Sequence, residues 1–292
     1  MTVPGTSHAV VLPGGERRPA LGLGTWKMGE SRSRRSAEVS AVRLALDIGY
    51  RVIDTAEMYG EGGAEEVVGE AVAGAMRDGL ARGDVFIVSK VYPHNASRAG
   101  VLAACERSLR RLKLDSIDLY LLHWRGREPL AETLAGFLEL QRRGQIRRWG
   151  VSNFDVPDLQ ELFGLEGGAG CSANQVYYSL GARGVEFDLL PWQRERGVPL
   201  MAYCPIDQGA LARRQAGAAW REVAQRHAAT PVQVALAALL AQGGVMAIPK
   251  AVREAHLREN WGAAALALDA KDLAALDRDF PPPRRKVPLT MS

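Results

Sequence analysis

Four residues of this chain have side chains that together can move a proton: Asp54, Tyr59, Lys90 and His123. Asp54 and Tyr59 open and close the hexapeptide Asp54-Thr-Ala-Glu-Met-Tyr59, Lys90 ends the apolar run from Val85, and His123 ends the run from Ile117. A free phenol titrates near pH ~10 and is a poor acid at neutral pH. An adjacent ammonium favours the phenolate and makes the phenol a better acid. Asp54 would keep the Lys90 ammonium charged and oriented. Tyr59 then becomes a usable general acid, and a base in the reverse direction. His123 could hydrogen-bond a substrate carbonyl oxygen and fix its orientation. The set contains no nucleophile–base pair and no metal cage. It protonates an oxygen, so the electrons must come from elsewhere, and a hydride from a nicotinamide is the natural partner.

These groups need elements that bring them together. Short apolar, β-branched runs recur along the chain with helical stretches between them. The strand candidates are Leu21–Thr25, Arg51–Asp54, Val85–Lys90, Ile117–His123, Arg148–Ser152, Ala173–Val176, Pro199–Tyr203 and Val245–Pro249. Between them, apolar residues recur at spacings of three and four, as in Val101, Ala104, Cys105, Leu109 and Leu112, or Leu134, Phe137, Leu138 and Gln141. Alternating strand and helix imply βαβ units on a parallel sheet. Eight such units point to an α/β fold of the (β/α)8, or TIM-barrel, type, whose active sites lie at the C-terminal ends of the strands. Asp54, Lys90 and His123 end the second, third and fourth candidates, with Tyr59 in the loop just beyond. A β-hairpin is expected over about 8–20, turning at Pro13-Gly14-Gly15. An extra helix is expected over Asp269–Phe280 with Asp269 as its N-cap, followed by a tail over about 281–292. No repeat or linker interrupts the chain, so one domain over 1–292 is the simplest expectation.

Composition excludes several classes. The 292 residues are 47% hydrophobic and carry a formal charge of +4. The basic residues are scattered and no nucleic-acid motif accompanies them. Cys105, Cys171 and Cys204 are odd in number and far apart, against both a disulfide framework and a zinc cluster. No signal-peptide pattern opens the chain, which favours the cytoplasm. The apolar stretch Val232–Ile248 is bracketed by Pro231 and Pro249 and cut by Gly243-Gly244, so it reads as a helix, a turn and a strand, without a membrane span. The expected partner is a small-molecule carbonyl substrate, with the protein a monomer or a weak homo-oligomer.

Gly22-Leu-Gly24-Thr-Trp-Lys27 begins like a dinucleotide fingerprint and fails at its last position, and no phosphate-loop motif is present. Barrels also hold phosphates with the loops after strands seven and eight. Here these carry Tyr203, Pro205, Ile206, Gln208 and Gly209, and then Lys250 and Arg253 before a helix N-terminus, a ready anion site.

With these residues laid out, the chain resembles the aldo-keto reductases over almost its full length. The matching stretches are Leu23-Gly-Thr-Trp26, Gly49-Tyr-Arg-Val-Ile-Asp-Thr-Ala56, Ile87-Val-Ser-Lys90, Asp118-Leu-Tyr-Leu-Leu-His-Trp124, Gly150-Val-Ser-Asn-Phe154, Asn174-Gln175 and Ile248-Pro-Lys250. The resemblance implies a barrel, NADPH-dependent reduction of an aldehyde or ketone, and Tyr59 as general acid tuned by Lys90 and Asp54. It implies that Ser152, Asn153 and Gln175 bind the nicotinamide carboxamide and that Tyr203 stacks on the ring. Gly24, Thr25 and Asp54 would approach the ribose, Lys250 the 2′-phosphate, and Glu259 and Asn260 the adenine. Trp26 and Trp124 would wall the substrate pocket beside Tyr59 and His123.

The phosphate segment departs from the family's usual pattern. Ala251 replaces a serine and His256 an arginine, and an arginine fork holds phosphate far better than a neutral imidazole. Arg253 or Arg258 could compensate. NADPH is therefore the expected cofactor, with some use of NADH. The short loops after His123 and Tyr203 resemble those of bacterial and fungal members acting on small aldehydes, dicarbonyls or keto sugars. Two other readings use the same residues: a Schiff-base aldolase with Lys90 as nucleophile, and a catalytically weak NADPH-binding regulatory protein on the same fold.

Overall fold

The computed structural model describes residues 8–213 and 217–291. Strands β1 (Ala9–Val11) and β2 (Arg17–Pro19) pair antiparallel with Ala9 opposite Pro19, so the expected hairpin is present. Its turn runs through left-handed backbone at Gly14 and Gly15, a conformation that costs glycine little.

Eight strands follow: β3 (Leu23–Gly24), β4 (Val52–Asp54), β5 (Phe86–Val91), β6 (Ile117–Leu122), β7 (Ile146–Ser152), β8 (Asn174–Tyr177), β9 (Leu200–Tyr203) and β10 (Val245–Ala247). They form one sheet in chain order. The helices are α1 (Arg35–Ile48), α2 (Gly63–Arg77), α3 (Arg98–Leu112), α4 (Leu130–Arg142), α5 (Val156–Phe163), α6 (Leu189–Glu195), α7 (Ala210–Arg213), α8 (Ala218–Arg226), α9 (Pro231–Leu240), α10 (Glu254–Gly262) and α11 (Ala270–Asp279). Parallel bridges also join Leu21 to Ala247 and Gly24 to Lys250. This is the (β/α)8 succession read from the sequence.

Chain proximity defines two compact units. One holds Leu23–Asn174 and Lys250–Glu254; the other holds Met1–Gly22, Gln175–Pro249 and Ala255–Ser292. In the first, β4, β5 and β6 are buried at every position, as expected of strands covered on both faces. Helix α3 starts at Ser97, whose side chain accepts the Gly100 N–H, and it buries Val101, Ala104, Cys105, Leu109 and Leu112. In α4, Leu134 and Phe137 are buried but Leu138, grouped with them by spacing, is exposed.

The second unit carries the hairpin, β8 to β10 and the last helices. The apolar stretch after Pro231 resolves as α9, the Gly243-Gly244 turn and β10. No helix among the described residues is long and apolar enough to cross a membrane. Trp220 and Phe280 meet edge to face, 5.1 Å between ring centroids, in the core beneath α8, α9 and α11. Asp269 caps α11 through a reciprocal capping box with Asp272, as its sequence position suggests.

Asp272 also accepts a hydrogen bond from His227 Nε2 at 2.7 Å and pairs with Arg226. Burial pushes this carboxyl up, but the His227 and Asp269 hydrogen bonds and the Arg226 charge outweigh burial and hold it below the usual carboxylate value. A folded value below the unfolded one gives stability that is complete above the unfolded pKa of about 3.9 and is lost as pH falls through the folded value. Asp272→Asn is therefore expected to cost about 1–2 kcal/mol at pH 7. The gap between parent and variant should narrow below pH ~4. Thermal melts from pH 3 to 7 measure this, and a constant gap would exclude the ionised pair as its source.

Candidate active site

Lys90 lies in β5 with no solvent exposure. Its ammonium donates to Asp54 Oδ2 at 2.8 Å, to the Thr55 carbonyl at 2.9 Å and to the Tyr59 hydroxyl at 3.2 Å. An ammonium has three N–H donors, and each finds an oxygen. Burial pulls Lys90 below the ordinary lysine value, while Asp54 opposes that shift. Sequence-distant residues are thus held in one hydrogen-bonded set.

The backbone explains their placement. Asp54 ends β4, and Thr25 secures that end by donating to the Asp54 carbonyl from its backbone N–H (3.0 Å) and its hydroxyl (2.9 Å). Beyond it, the Thr55 N–H donates to the Val88 carbonyl and the Glu57 N–H to that of Lys90, so the Tyr59 loop continues to track β5. Tyr59 then opens a tight turn, Tyr59–Gly62. The turn and the start of α2 lie close against Gly29. A Cβ on Gly63 would stand 2.3 Å from the Gly29 carbonyl oxygen, so only glycine permits this approach.

His123 follows β6 and is held by its backbone N–H on the Val91 carbonyl at 3.0 Å. Its ring meets the Tyr59 ring edge to face, 5.7 Å between centroids, and lies 4.9 Å from Trp124. Burial, then the Lys90 charge, hold this imidazole well below its usual pKa, so it is neutral at neutral pH. Nδ1 is buried without a hydrogen-bond partner among the described residues. A neutral ring with its proton on Nε2 presents a single donor from that nitrogen.

Two further residues belong to this constellation and were missed in the sequence. Tyr92 lies against His94 with tilted rings 4.6 Å apart, meets Trp124 edge-on at 5.8 Å and lies 6.5 Å from His123. Strand periodicity was the available signal, because Lys90 and Tyr92 are two apart and share a face. Glu57 is buried, and its carboxylate accepts the Tyr92 N–H at 2.8 Å and the Asn95 amide at 3.0 Å. It pins the Tyr59 loop to the loop that carries Tyr92.

Ser152 ends β7 and is buried. Asn153 has left-handed backbone (φ 61°), tolerable for asparagine, and donates to the His123 carbonyl at 3.1 Å. Gly24 is paired with Lys250, and Trp26 is half-buried beneath the Lys27 ammonium at 4.4 Å from its ring centre. Lys250 and Arg253 are exposed in the segment leading into α10, and Lys27, Arg34, Glu30 and Glu38 face Lys250. All these residues lie in the unit that carries Lys90.

The remaining sequence-selected residues lie in the other unit. Gln175 is buried and Tyr203 half-buried, edge-on to Tyr177. After Tyr203, Pro205 is buried and Ile206 half-buried. Cys204, Asp207, Gln208 and Gly209 all adopt positive φ, a concentration of strain typical of functional loops. The Tyr177 hydroxyl donates to Asp207 and holds this loop. Cys204, at the loop's start, is half-buried with left-handed backbone. His256 is half-buried, Glu259 accepts the Thr230 hydroxyl at 2.8 Å, and Asn260 is buried.

The chemistry available is proton donation by a phenol beside a buried ammonium, with a neutral imidazole at hand to orient an oxygen. Thiolate chemistry has little support: burial pushes the Cys105 and Cys171 thiols up to about 12. No group of metal-ligating side chains occurs among the described residues.

Residues 20–278 match the Aldo/keto reductase family. The chain is 48% identical over 275 residues to the methylglyoxal reductase YeaE of Escherichia coli, covering 94% of this chain and 95% of that protein. It is 34% identical to the glyoxal reductase of Bacillus subtilis, covering 92% and 91%. The crystal structure of an aldo-keto reductase from Klebsiella pneumoniae in complex with NADPH superposes with a TM-score of 0.91 at 46% identity, covering 98% and 99%. On sequence and fold together, this protein belongs to the aldo/keto reductase family.

Proposed function

We propose that this protein reduces a small aldehyde or dicarbonyl to the alcohol, with NADPH as the reductant and Tyr59 as the general acid. The observation that carries the reading is the Lys90 ammonium, wholly buried and shared between Asp54, Thr55 and the Tyr59 hydroxyl. It stabilises the negative charge left on the phenol oxygen when the proton departs. His123 donates one hydrogen bond to the carbonyl oxygen and aims it at Tyr59, while Trp26, Tyr92 and Trp124 bound an aromatic pocket.

The donor set fits a nicotinamide cofactor. Ser152, Asn153 and Gln175 offer a hydroxyl and two amides to a carboxamide. Tyr203 offers a ring face to the nicotinamide, and the strained segment from Pro205 through Ile206 and Gln208 to Gly209 lies next to it in sequence. Gly24 and Thr25 would border the ribose. Lys250 and Arg253, with Lys27 and Arg34 facing Lys250, offer positive charge to a phosphate. His256 would stand at the phosphate in place of the family's arginine, and Glu259 and Asn260 would face the adenine. When bound, the cofactor supplies a hydride to the carbonyl carbon.

The substrate class draws support from relatives named as methylglyoxal and glyoxal reductases. The same reading has one domain over 1–292, acting in the cytoplasm as a monomer or weak homo-oligomer. The test is steady-state kinetics on small aldehydes, dicarbonyls and keto sugars with each cofactor. Methylglyoxal-like dicarbonyls with NADPH should give the highest kcat/KM, and NADH should support slower turnover. A strong NADH preference would overturn Lys250 as the phosphate clamp, and no turnover across the panel would overturn the activity.

A further inference from the structure

A second carboxylate lies behind the strand that carries Lys90. Glu65 in α2 has no solvent exposure. Its Oε1 accepts the Ser89 hydroxyl at 2.5 Å and its Oε2 accepts Arg111 Nε at 2.6 Å. Ser89 and Lys90 are consecutive in β5, so their side chains leave the strand on opposite faces. Arg111 also closes over the turn that Tyr59 opens. A Cβ on Gly62 would stand 2.5 Å from Arg111 Nε. One guanidinium thus hydrogen-bonds the Glu65 carboxylate and fills the space beside Gly62 in the Tyr59 turn. A buried ion pair is not needed for stability at such a place, since apolar residues of similar volume often serve as well.

The geometry points to Glu65 as a positioning residue for proton transfer: it fixes β5 through Ser89, fixes the Tyr59 turn through Arg111, and adds a negative charge that favours the Lys90 ammonium. This rests on Tyr59 being the proton donor. The charged and titratable groups around the network are Arg111 and Cys105 of α3, Tyr120 of β6, and Glu57, Asp54, Tyr59 and His123 around Lys90. Burial raises Glu65 above the usual carboxylate value, and Arg111, Ser89 and Ser108 act against that shift; the Arg111 guanidinium at 2.6 Å is the counter-charge that favours the ionised form. The Glu65 charge raises Lys90 in turn, beside the larger contribution of Asp54. Removing it makes the ammonium easier to deprotonate and the phenolate easier to form. Both changes move the alkaline loss of reductase activity in the same direction, to lower pH.

The experiment is the pH dependence of kcat for dicarbonyl reduction in the parent, Glu65→Gln, Glu65→Gln/Arg111→Met and Ser89→Ala. In Glu65→Gln the alkaline limb should move to lower pH by roughly half a unit to one unit, and in the double variant, which also removes the Arg111 cation, in the same direction by less. Ser89→Ala keeps the charge, so its limb should stay in place. The double variant leaves no half-buried guanidinium without its carboxylate, which keeps the test available if the single variant folds poorly. Limbs coincident with the parent's in the Glu65 variants would overturn the inference and reduce Glu65 to a packing role. A parent that reduces no carbonyl, or a Tyr59→Phe variant that reduces one normally, would instead overturn the reading on which the inference rests.

Discussion

Tyr59→Phe is expected to lower kcat for carbonyl reduction by about three orders of magnitude, within the range that general acid catalysis contributes, while NADPH affinity stays unchanged. The substitution removes one oxygen and little else. The ring remains, and with it the edge-to-face contact with His123 at 5.7 Å and the Lys90 ammonium 4.8 Å from the ring centre. What disappears is the atom that accepts from Lys90 at 3.2 Å and donates the proton. Because the ammonium keeps its bonds to Asp54 and Thr55, the cost in folding stability should be modest, about 1–2 kcal/mol. Steady-state kinetics paired with a fluorescence titration of NADPH separates the two effects. Near-normal turnover would remove Tyr59 as the acid, and loss of cofactor affinity would show that the loop had collapsed.

Lys90→Met should cost both activity and stability. A methionine fills a similar volume, but the site sits between the Asp54 carboxylate and the Thr55 carbonyl with no access to water. Removing one member of a buried ion pair typically costs about 3–5 kcal/mol, because the remaining charge keeps its desolvation penalty and loses its counter-ion. The phenol simultaneously loses the cation that makes it acidic, so kcat should fall at least as far as in Tyr59→Phe. The variant Asp54→Asn/Lys90→Met tells the two losses apart. It should recover much of the stability, since no lone carboxylate is then buried, and recover none of the activity. Urea unfolding of the two single variants and the double gives the coupling energy, expected between about 0.5 and 3 kcal/mol. Full additivity would mean that the pair is not ionised together in the folded protein. The two experiments also bear on the Schiff-base alternative. An amine that donates three hydrogen bonds as an ammonium has no lone pair to attack a carbonyl.

The amino-acid sequence by itself determined the strand-and-helix succession, the hairpin at Gly14-Gly15, the Asp269 cap and the break in the apolar stretch after Pro231. Those are local signals. A strand covered on both faces must read as an apolar run, a helix start asks for a side-chain acceptor, and a left-handed turn asks for glycine. The four polar strand-end residues were legible for the same reason, since an acid, a phenol, an amine and an imidazole at the ends of buried runs break a pattern set by burial. Spacing grouped Leu138 with buried neighbours in α4, yet it is exposed, because an apolar stripe on a helix is wider than the surface its neighbours cover. The tertiary structure alone decided how the Lys90 donors are satisfied. One goes to a backbone carbonyl, that of Thr55, which no side-chain pattern reveals. It also decided that Glu57 pins Tyr92 beside Trp124, that Arg111 meets both Glu65 and the Tyr59 turn, and that the loop after Tyr203 concentrates its left-handed residues. Each depends on residues far apart in the chain, or on backbone angles that non-glycine residues adopt only when their surroundings impose them. The residue types state which proton could move; the approach of β4, β5 and β6 to one another sets the ångströms over which it does.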